Sequence, residues 1–109
     1  MRRGDFYTAA ARGVYTGQPC PVVIVQDDRF EATASVTVCP LTTNPIEGPL
    51  CRIDVEPSPF NGLEQPSRLM VDKLTTIPRA NLGDLVGRLP EADLLRLNRA
   101  LVVFLGLAD

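Results

Sequence analysis

The stretch Val22-Val23-Ile24-Val25 is an unbroken run of β-branched residues, bounded by Pro21 and the pair Asp27-Asp28. β-Branched side chains favour extended backbone, and a short apolar run without alternation is typical of a strand that is covered on both faces. The run therefore predicts a buried central strand, and the other strands are expected to assemble around it.

Further strand patterns lie on either side of this run. Val36 and Val38 alternate with Ser35, Thr37 and Cys39, which is the period-two pattern of a strand. The 8 glycines and 10 prolines divide the chain into short segments and predict loops at 12–21, 42–49 and 56–66. The predicted strands, besides 22–25, are 6–10, 34–41, 51–55 and 69–72, with a short last one at 87–89.

The clearest helical pattern spans residues 90–105. Pro90 suits the first helical position, and Glu91 and Asp93 complement the positive end of the helix dipole. Gly106 suits a left-handed stop. Apolar residues recur at intervals of three and four, at Leu94, Leu97, Leu101 and Phe104. We therefore expect a mainly β fold of one domain, residues 1–109, with five to seven strands curled into a small barrel and a C-terminal helix.

The composition excludes several kinds of catalytic site. The 109 residues include 11 Lys+Arg, 13 Asp+Glu and no His, for a net charge of −2. Without His there is no Ser–His–Asp or Cys–His nucleophile pair and no imidazole acid–base catalyst. The three cysteines form no C-x-x-C spacing and predict free thiols in a reducing compartment, with a single Cys39–Cys51 bridge as the alternative. With neither a signal peptide nor a membrane-length apolar run, a soluble cytoplasmic protein is expected.

Several motifs together resemble one family. In chain order they are Arg3-Gly4-Asp5-Phe6-Tyr7, Gly17-Gln18-Pro19-Cys20-Pro21 with the following apolar run, Val36-Thr37-Val38-Cys39-Pro40-Leu41-Thr42-Thr43, Asn61-Gly62-Leu63, and Asp72-Lys73-Leu74-Thr75-Thr76-Ile77-Pro78. The set resembles the MazF/PemK toxins, the sequence-specific endoribonucleases of type II toxin–antitoxin systems, over nearly the whole chain.

The resemblance implies an SH3-like barrel that forms a homodimer and binds single-stranded RNA in a groove partly made by the first loop. It also implies cleavage without a metal or other cofactor. In that reaction the ribose 2′-hydroxyl attacks the adjacent phosphate and leaves a 2′,3′-cyclic phosphate and a 5′-hydroxyl. The expected natural partner is a disordered acidic antitoxin segment that mimics the polyanionic substrate.

The resemblance also assigns residues. Thr42 matches the functional threonine of the family, although a threonine that only caps the following turn would look the same. Asp72 matches the acidic residue of the last motif, as a proton acceptor or as the partner of an arginine; a salt-bridged strand residue is the plain alternative. The predicted RNA-binding set, with Tyr15 as the candidate for stacking on a base, is Arg12, Tyr15, Thr16, Gly17, Gln18 and Thr43.

Cys20 departs from the family pattern, because it stands where the family carries its catalytic arginine. A guanidinium offers a permanent charge and a planar fork of donors that fits a phosphate, and a thiol offers neither. Three interpretations stay open: the site is impaired, a nearby arginine such as Arg12 or Arg29 takes over, or the thiol performs a different chemistry. The last needs a base or cation beside Cys20, and the chain has no His to act as that base.

Two rival functions are open at this stage. One is a barrel toxin of the same fold that poisons DNA gyrase by protein binding; the Pro40–Thr42 motif and the signature from Asp72 to Ile77 favour the ribonuclease. The other is an SH3-like module for proline-rich peptides, which needs clustered aromatic residues. Only 6% of the residues are aromatic, and they are scattered along the chain.

Overall fold

The computed structural model describes residues 1–9, 20–44 and 51–107. They form an antiparallel sheet followed by a helix, so the prediction of a mainly β fold with a C-terminal helix is confirmed. The elements are β1 (Asp5–Ala9), β2 (Cys20–Ile24), β3 (Ser35–Thr42), β4 (Arg52–Val55), β5 (Ser67–Met70), β6 (Thr75–Pro78), β7 (Leu82–Arg88) and α1 (Glu91–Phe104).

The eight-residue strand β3 is the centre of the sheet. One edge of β3 pairs with β2, while its other edge pairs first with β6 and then, at its C-terminal end, with β5. The strand order is β4-β5-β3-β2-β1-β7, with β6 attached to β3 beside this path. The path is open in the described residues, with β4 and β7 at its two ends, so the expected barrel is not closed by strand pairing there.

Both faces of the central strands are covered, as the run at 22–25 predicts. Val23 and Cys39 belong to one buried cluster, together with Leu97 of α1. Val22 and Val38 belong to a second cluster on the opposite face. The alternation predicted for β3 is therefore present, but the Cys39 side of the strand is buried rather than polar.

The helix α1 joins the sheet through one stripe of its surface. Leu97 is fully buried, Leu94 and Leu101 are partly buried against the same cluster, and Phe104 remains half exposed. Gly106 ends the helix with φ of 72°, which is the left-handed conformation that glycine adopts without strain. No helix among the described residues is long and apolar enough to span a bilayer.

The predicted start of β2 and the predicted end of β5 are wrong. The strand β2 begins at Cys20, so Cys20 and Pro21 belong to a strand and not to the predicted loop; most of that loop, 12–19, lies outside the described residues. Pro21 is accommodated opposite Thr8 near the end of the β1–β2 ladder. The strand predicted at 69–72 is β5, which ends at Met70, and Asp72 lies in the 3-10 turn Val71–Lys73 that follows.

Two strands near the C-terminus differ from the prediction: β6 is absent from the predicted strands, and β7 is longer than the strand predicted at 87–89. Thr75–Pro78 forms β6, although its proline indicates a break, because Pro78 is the last residue of the strand. The strand β7 extends from Leu82 through two glycines. Gly87 lies where the backbone of Asn61 crosses the strand, and a Cβ there would clash with the Asn61 carbonyl oxygen. The glycine therefore permits close backbone packing and does not break the strand.

Candidate active site

Thr42 lies at the C-terminal end of β3, where three strands bring polar residues into one row. It is directly opposite Arg68 of β5, and Arg68 is directly opposite Asp54 of β4. The neighbouring row, Leu41, Leu69 and Ile53, is buried in the core. Because successive side chains of a strand point to opposite faces, Thr42, Arg68 and Asp54 share the outer face of this part of the sheet.

The Thr42 hydroxyl is held by the turn that follows it. The Asn44 backbone N–H donates to Thr42 Oγ1 over 3.1 Å. This contact fits the turn-capping interpretation. It does not exclude a role toward a ligand, because a hydroxyl that accepts one hydrogen bond keeps its own hydrogen as a donor.

Position 20 lies on the other side of Thr42. The β2–β3 ladder pairs Val22 with Pro40, and the same register continued by two residues on each strand brings Cys20 opposite Thr42. On its other edge Cys20 is paired with Ala9 of β1. The backbone thus places the position that distinguishes this chain from the family pattern next to the candidate threonine.

Asp72 is engaged by an arginine that the motifs do not assign to it. Arg52 donates from Nε to Asp72 Oδ1 over 2.9 Å and from Nη2 to Oδ2 over 3.2 Å. The hydrogen bonds from Arg52 are the main cause that lowers the pKa of Asp72. Asp72 is therefore ionised at neutral pH, and the pair ties β4 to the 3-10 turn that follows β5.

Arg68 contacts a more exposed carboxylate, that of Asp54. Its Nε lies 2.9 Å from Asp54 Oδ1, and the Asp54 side chain is 67% exposed, against 28% for Asp72. Arg96 of α1 donates to the backbone oxygen of Asp54 over 2.9 Å. The outer face of β4 and β5 therefore carries two arginine–carboxylate pairs, one of which lies in the row of Thr42.

The other predicted site residues are only partly described. Thr43 follows β3 directly and is exposed. Arg29, one of the arginines considered as a substitute for position 20, lies in the short turn Asp28–Phe30 beyond the far end of β2. Four residue steps of a strand span about 13 Å, so Arg29 lies well away from Thr42. The rest of the predicted set lies outside the described residues: Arg12, Tyr15, Thr16, Gly17 and Gln18.

Cys39 and Cys51 are free thiols, as predicted. Cys39 lies in β3 and Cys51 comes directly before β4, and β5 lies between these strands. A Cys39–Cys51 disulfide would have to cover roughly 10 Å, whereas a disulfide spans about 4.4–6.8 Å between Cα atoms. Burial raises the pKa of Cys39 to about 12, which makes it unreactive. Among the residues that the structure describes, no group of metal-ligating side chains comes together.

The Arg3-Gly4-Asp5 motif is structural. Arg88 Nη1 donates to Asp5 Oδ1 over 2.7 Å, and Arg3 Nε donates to the Val25 backbone oxygen over 2.7 Å. Gly4 has φ of 93°, a conformation that favours glycine. This motif joins the N-terminus to β2 and β7, away from Thr42.

Arg52 and Arg68 belong to none of the motifs. From the sequence they are only two of eight basic residues with a possible RNA-binding role, most of which are expected to be solvated surface charges: Arg2, Arg3, Arg12, Arg29, Arg52, Arg68, Lys73 and Arg79. A signal for both is nevertheless present in the alternation of β4 and β5. Arg52 and Asp54 flank the buried Ile53, and Arg68 precedes the buried Leu69. Which of these outer-face residues meet Thr42 depends on the strand register, which comes from the structure.

Two comparisons with known proteins match nearly the whole chain. The sequence model of the family described as PemK-like, MazF-like toxins of type II toxin–antitoxin systems matches residues 2–105. A protein of Mycolicibacterium smegmatis described as a probable endoribonuclease MazF is 63% identical over 108 residues, which cover 99% of each chain.

Solved structures agree with this match. The Mycobacterium tuberculosis toxin MazF-mt6 superposes with a TM-score of 0.80 at 27% identity, over 96% of this chain and 99% of that one. An endoribonuclease from a mycobacterial species, solved with its cognate antitoxin, superposes with a TM-score of 0.82 at 25% identity, over 100% of this chain and 98% of that one.

Proposed function

The chain belongs to the PemK-like, MazF-like toxin family of type II toxin–antitoxin systems, and we propose that it is an endoribonuclease that cuts single-stranded mRNA in the cytoplasm without a metal ion. The observation that carries the proposal is the position of Thr42 at the end of β3, directly opposite Arg68 of β5, while the strand on the other edge of β3 begins at position 20. This juxtaposition places a hydroxyl donor and a guanidinium at one point of the surface.

The reaction that fits such a site is an internal transfer at phosphorus. The ribose 2′-oxygen loses its proton to solvent and bonds to the adjacent phosphorus, the bond from phosphorus to the 5′-oxygen breaks, and that oxygen takes up a proton from solvent. The products are a 2′,3′-cyclic phosphate and a 5′-hydroxyl. The protein has to hold the phosphate and stabilise the extra charge on its oxygens as the new bond forms.

In this mechanism Thr42 is the hydroxyl donor to a non-bridging phosphate oxygen. The Asn44 N–H donates to Oγ1 and so restrains the Thr42 side chain, while the hydroxyl keeps its own hydrogen to donate to the phosphate. A donor that is oriented before the substrate arrives loses no free energy to reorganisation during the reaction.

Asp72 acts as a positioning residue in this proposal and not as the proton acceptor. Its lowered pKa makes it a weak base, and both of its oxygens are engaged by Arg52. These contacts and the lowered pKa favour the second of the two roles considered for Asp72, in which it fixes a neighbouring arginine.

The proposed assembly is a homodimer that an acidic antitoxin segment inhibits. The helix α1 and the residues after it expose several large apolar side chains, most of them near its C-terminal end, and exposed apolar surface commonly marks interaction sites. We assign these side chains to the contact with a second copy. They are Leu95, Val102, Val103, Phe104, Leu105 and Leu107.

Cleavage of RNA in the presence of EDTA tests the proposal. The purified protein is expected to cut a long single-stranded RNA and to leave 2′,3′-cyclic phosphate ends, which are detected because a phosphatase cannot remove them until acid opens the ring. Thr42→Ala is expected to slow cleavage by about 10²-fold or more, the usual cost of one lost transition-state donor. Ser35→Ala removes an exposed hydroxyl at the other end of β3 and is the matched control.

The same assay addresses the rival function. The expectation that Cys20 lowers the rate stays a prediction, so the Cys20→Arg variant is assayed beside the natural chain. If neither form cuts RNA while both inhibit DNA gyrase, the ribonuclease proposal is wrong and the gyrase-poisoning alternative is favoured.

A further inference from the structure

Arg68 is the guanidinium that the fold places beside Thr42. We infer that Arg68 is a substrate-contacting residue that donates to an oxygen of the scissile RNA phosphate, next to the Thr42 hydroxyl. The inference rests on the proposed function and extends it, because Arg68 belongs to none of the motifs that assign site residues from the sequence.

The strand register brings Arg68 within reach of a phosphate that is bound at Thr42. Thr42 and Arg68 are directly opposite each other in the antiparallel β3–β5 pair. The Cβ atoms of such a pair are about 4.5–5.5 Å apart, and their side chains lie on the same face. A phosphate bound by the Thr42 hydroxyl is therefore within reach of a long side chain at position 68.

The contact of Arg68 with Asp54 suits a ligand-binding role. Asp54 accepts from Nε of Arg68, and this contact limits the rotamers of the arginine before a substrate arrives. Because the Asp54 side chain is largely exposed, water screens its attraction for the arginine. A phosphate, whose geometry matches the planar fork of a guanidinium, can then compete with Asp54 for Arg68.

The other described arginines near the sheet lie in different settings. Arg52 uses both Nε and Nη2 for Asp72, and its side chain is only 17% exposed. Arg96 bridges the Asp54 backbone oxygen and the Asp93 side chain. Arg29 is 81% exposed but lies beyond the far end of β2. Among the described arginines, Arg68 is the one in register with Thr42.

Arg68 lies across β3 from position 20, where Cys20 stands in place of the family arginine. Cys20 and Arg68 occupy the two strands that flank the end of β3, on either side of Thr42. A guanidinium from β5 therefore approaches the same phosphate from the side opposite to β2. Arg68 thereby joins the arginines considered for this site, of which Arg29 lies beyond the far end of β2.

Single-turnover cleavage of one RNA by matched variants tests the inference. Arg68→Ala is expected to slow cleavage by about 10²-fold, and Arg68→Lys to restore part of the loss, because a lysine keeps the charge but not the fork. Arg29→Ala removes an exposed arginine that also pairs with an aspartate, and its rate is expected to stay within about twofold of the natural chain. Circular dichroism and thermal unfolding establish that each variant is folded; if Arg68→Ala is unfolded, Arg68→Gln replaces it.

The outcomes separate the inference from the proposed function. If Arg68→Ala cleaves at the natural rate while Thr42→Ala does not, the inference is wrong and the proposed function stands. If only the Cys20→Arg chain cleaves at a measurable rate, the Arg68→Ala change is made in that background and the same criterion applies. If neither the natural chain nor Cys20→Arg cuts RNA, the proposed function fails, and the inference fails with it.

Discussion

Two arginine–carboxylate pairs lie side by side on the outer face of β4 and β5, and they differ in how far solvent reaches them. The Arg52–Asp72 pair is bidentate and mostly shielded, with 17% and 28% of the two side chains exposed. In the Arg68–Asp54 pair the two side chains are 25% and 67% exposed, and Nε makes the contact.

The difference separates an ion pair that holds the fold from one that serves a ligand. A bidentate pair with limited solvent access keeps its geometry and joins two segments of the chain. A pair with one exposed partner contributes little to stability, and a ligand that reaches the surface can replace that partner. Of these two arginines, Arg68 is the one in register with Thr42.

The Cys20→Arg variant is expected to produce the largest effect. A guanidinium at position 20 adds a donor on the side of Thr42 opposite to Arg68, and one such donor is worth about 10²–10³ in rate. Initial rates of RNA cleavage measure the gain. The cost of Arg68→Ala is also expected to shrink in this background, because the two guanidinium groups then share one phosphate. Equal rates for the natural chain and for Cys20→Arg contradict the expectation.

The Asp72→Asn variant tests the structural pair. At pH 7 the charged pair is expected to contribute about 1 kcal/mol to the free energy of unfolding, the upper range for an ion pair that is still partly solvated. Because Arg52 lowers the pKa of Asp72 in the folded state, this contribution is present above the unfolded pKa of about 4 and is lost as the pH falls through the lower, folded value.

Urea unfolding at several pH values measures that dependence. The stability difference between the natural chain and Asp72→Asn is expected to shrink as the solution becomes acidic. Asp54→Asn is the matched control in the exposed pair, with an expected effect within about 0.5 kcal/mol. A larger loss for Asp54→Asn than for Asp72→Asn contradicts the assignment of the two pairs.

The sequence predicts the fold well where one physical signal dominates. The β-branched run at 22–25 and the three- and four-residue spacing of Leu94, Leu97 and Leu101 both correspond to observed elements. The strand β6 does not follow from the sequence, because Thr75-Thr76-Ile77-Pro78 has little apolar alternation and ends in proline. Its strand conformation comes from pairing with β3, which is a tertiary contact that local propensity does not contain.

The residues of the candidate site can be predicted in part from the sequence, but the contacts between them cannot, because those contacts are tertiary. Thr42 and Asp72 follow from motifs, although apolar patterning wrongly includes Asp72 in a strand. That Asp72 meets Arg52, and that Thr42 meets Arg68, depends on register between segments that are 20 and 26 residues apart in the chain. Side-chain alternation gives the face of each residue, but it does not give the partner across the ladder.

The salt dependence of RNA binding tests the central claim most directly. The probe is a single-stranded RNA with a 2′-deoxy sugar at the cleavage site, which binds but lacks the attacking hydroxyl. Each phosphate contact in a single strand contributes about 0.7 to the slope of log affinity against log salt concentration. Arg68→Ala is expected to reduce the slope by about that amount, and Arg52→Ala, measured where it is folded, to leave the slope unchanged. A reduced slope for Arg52→Ala together with a natural slope for Arg68→Ala would contradict the account.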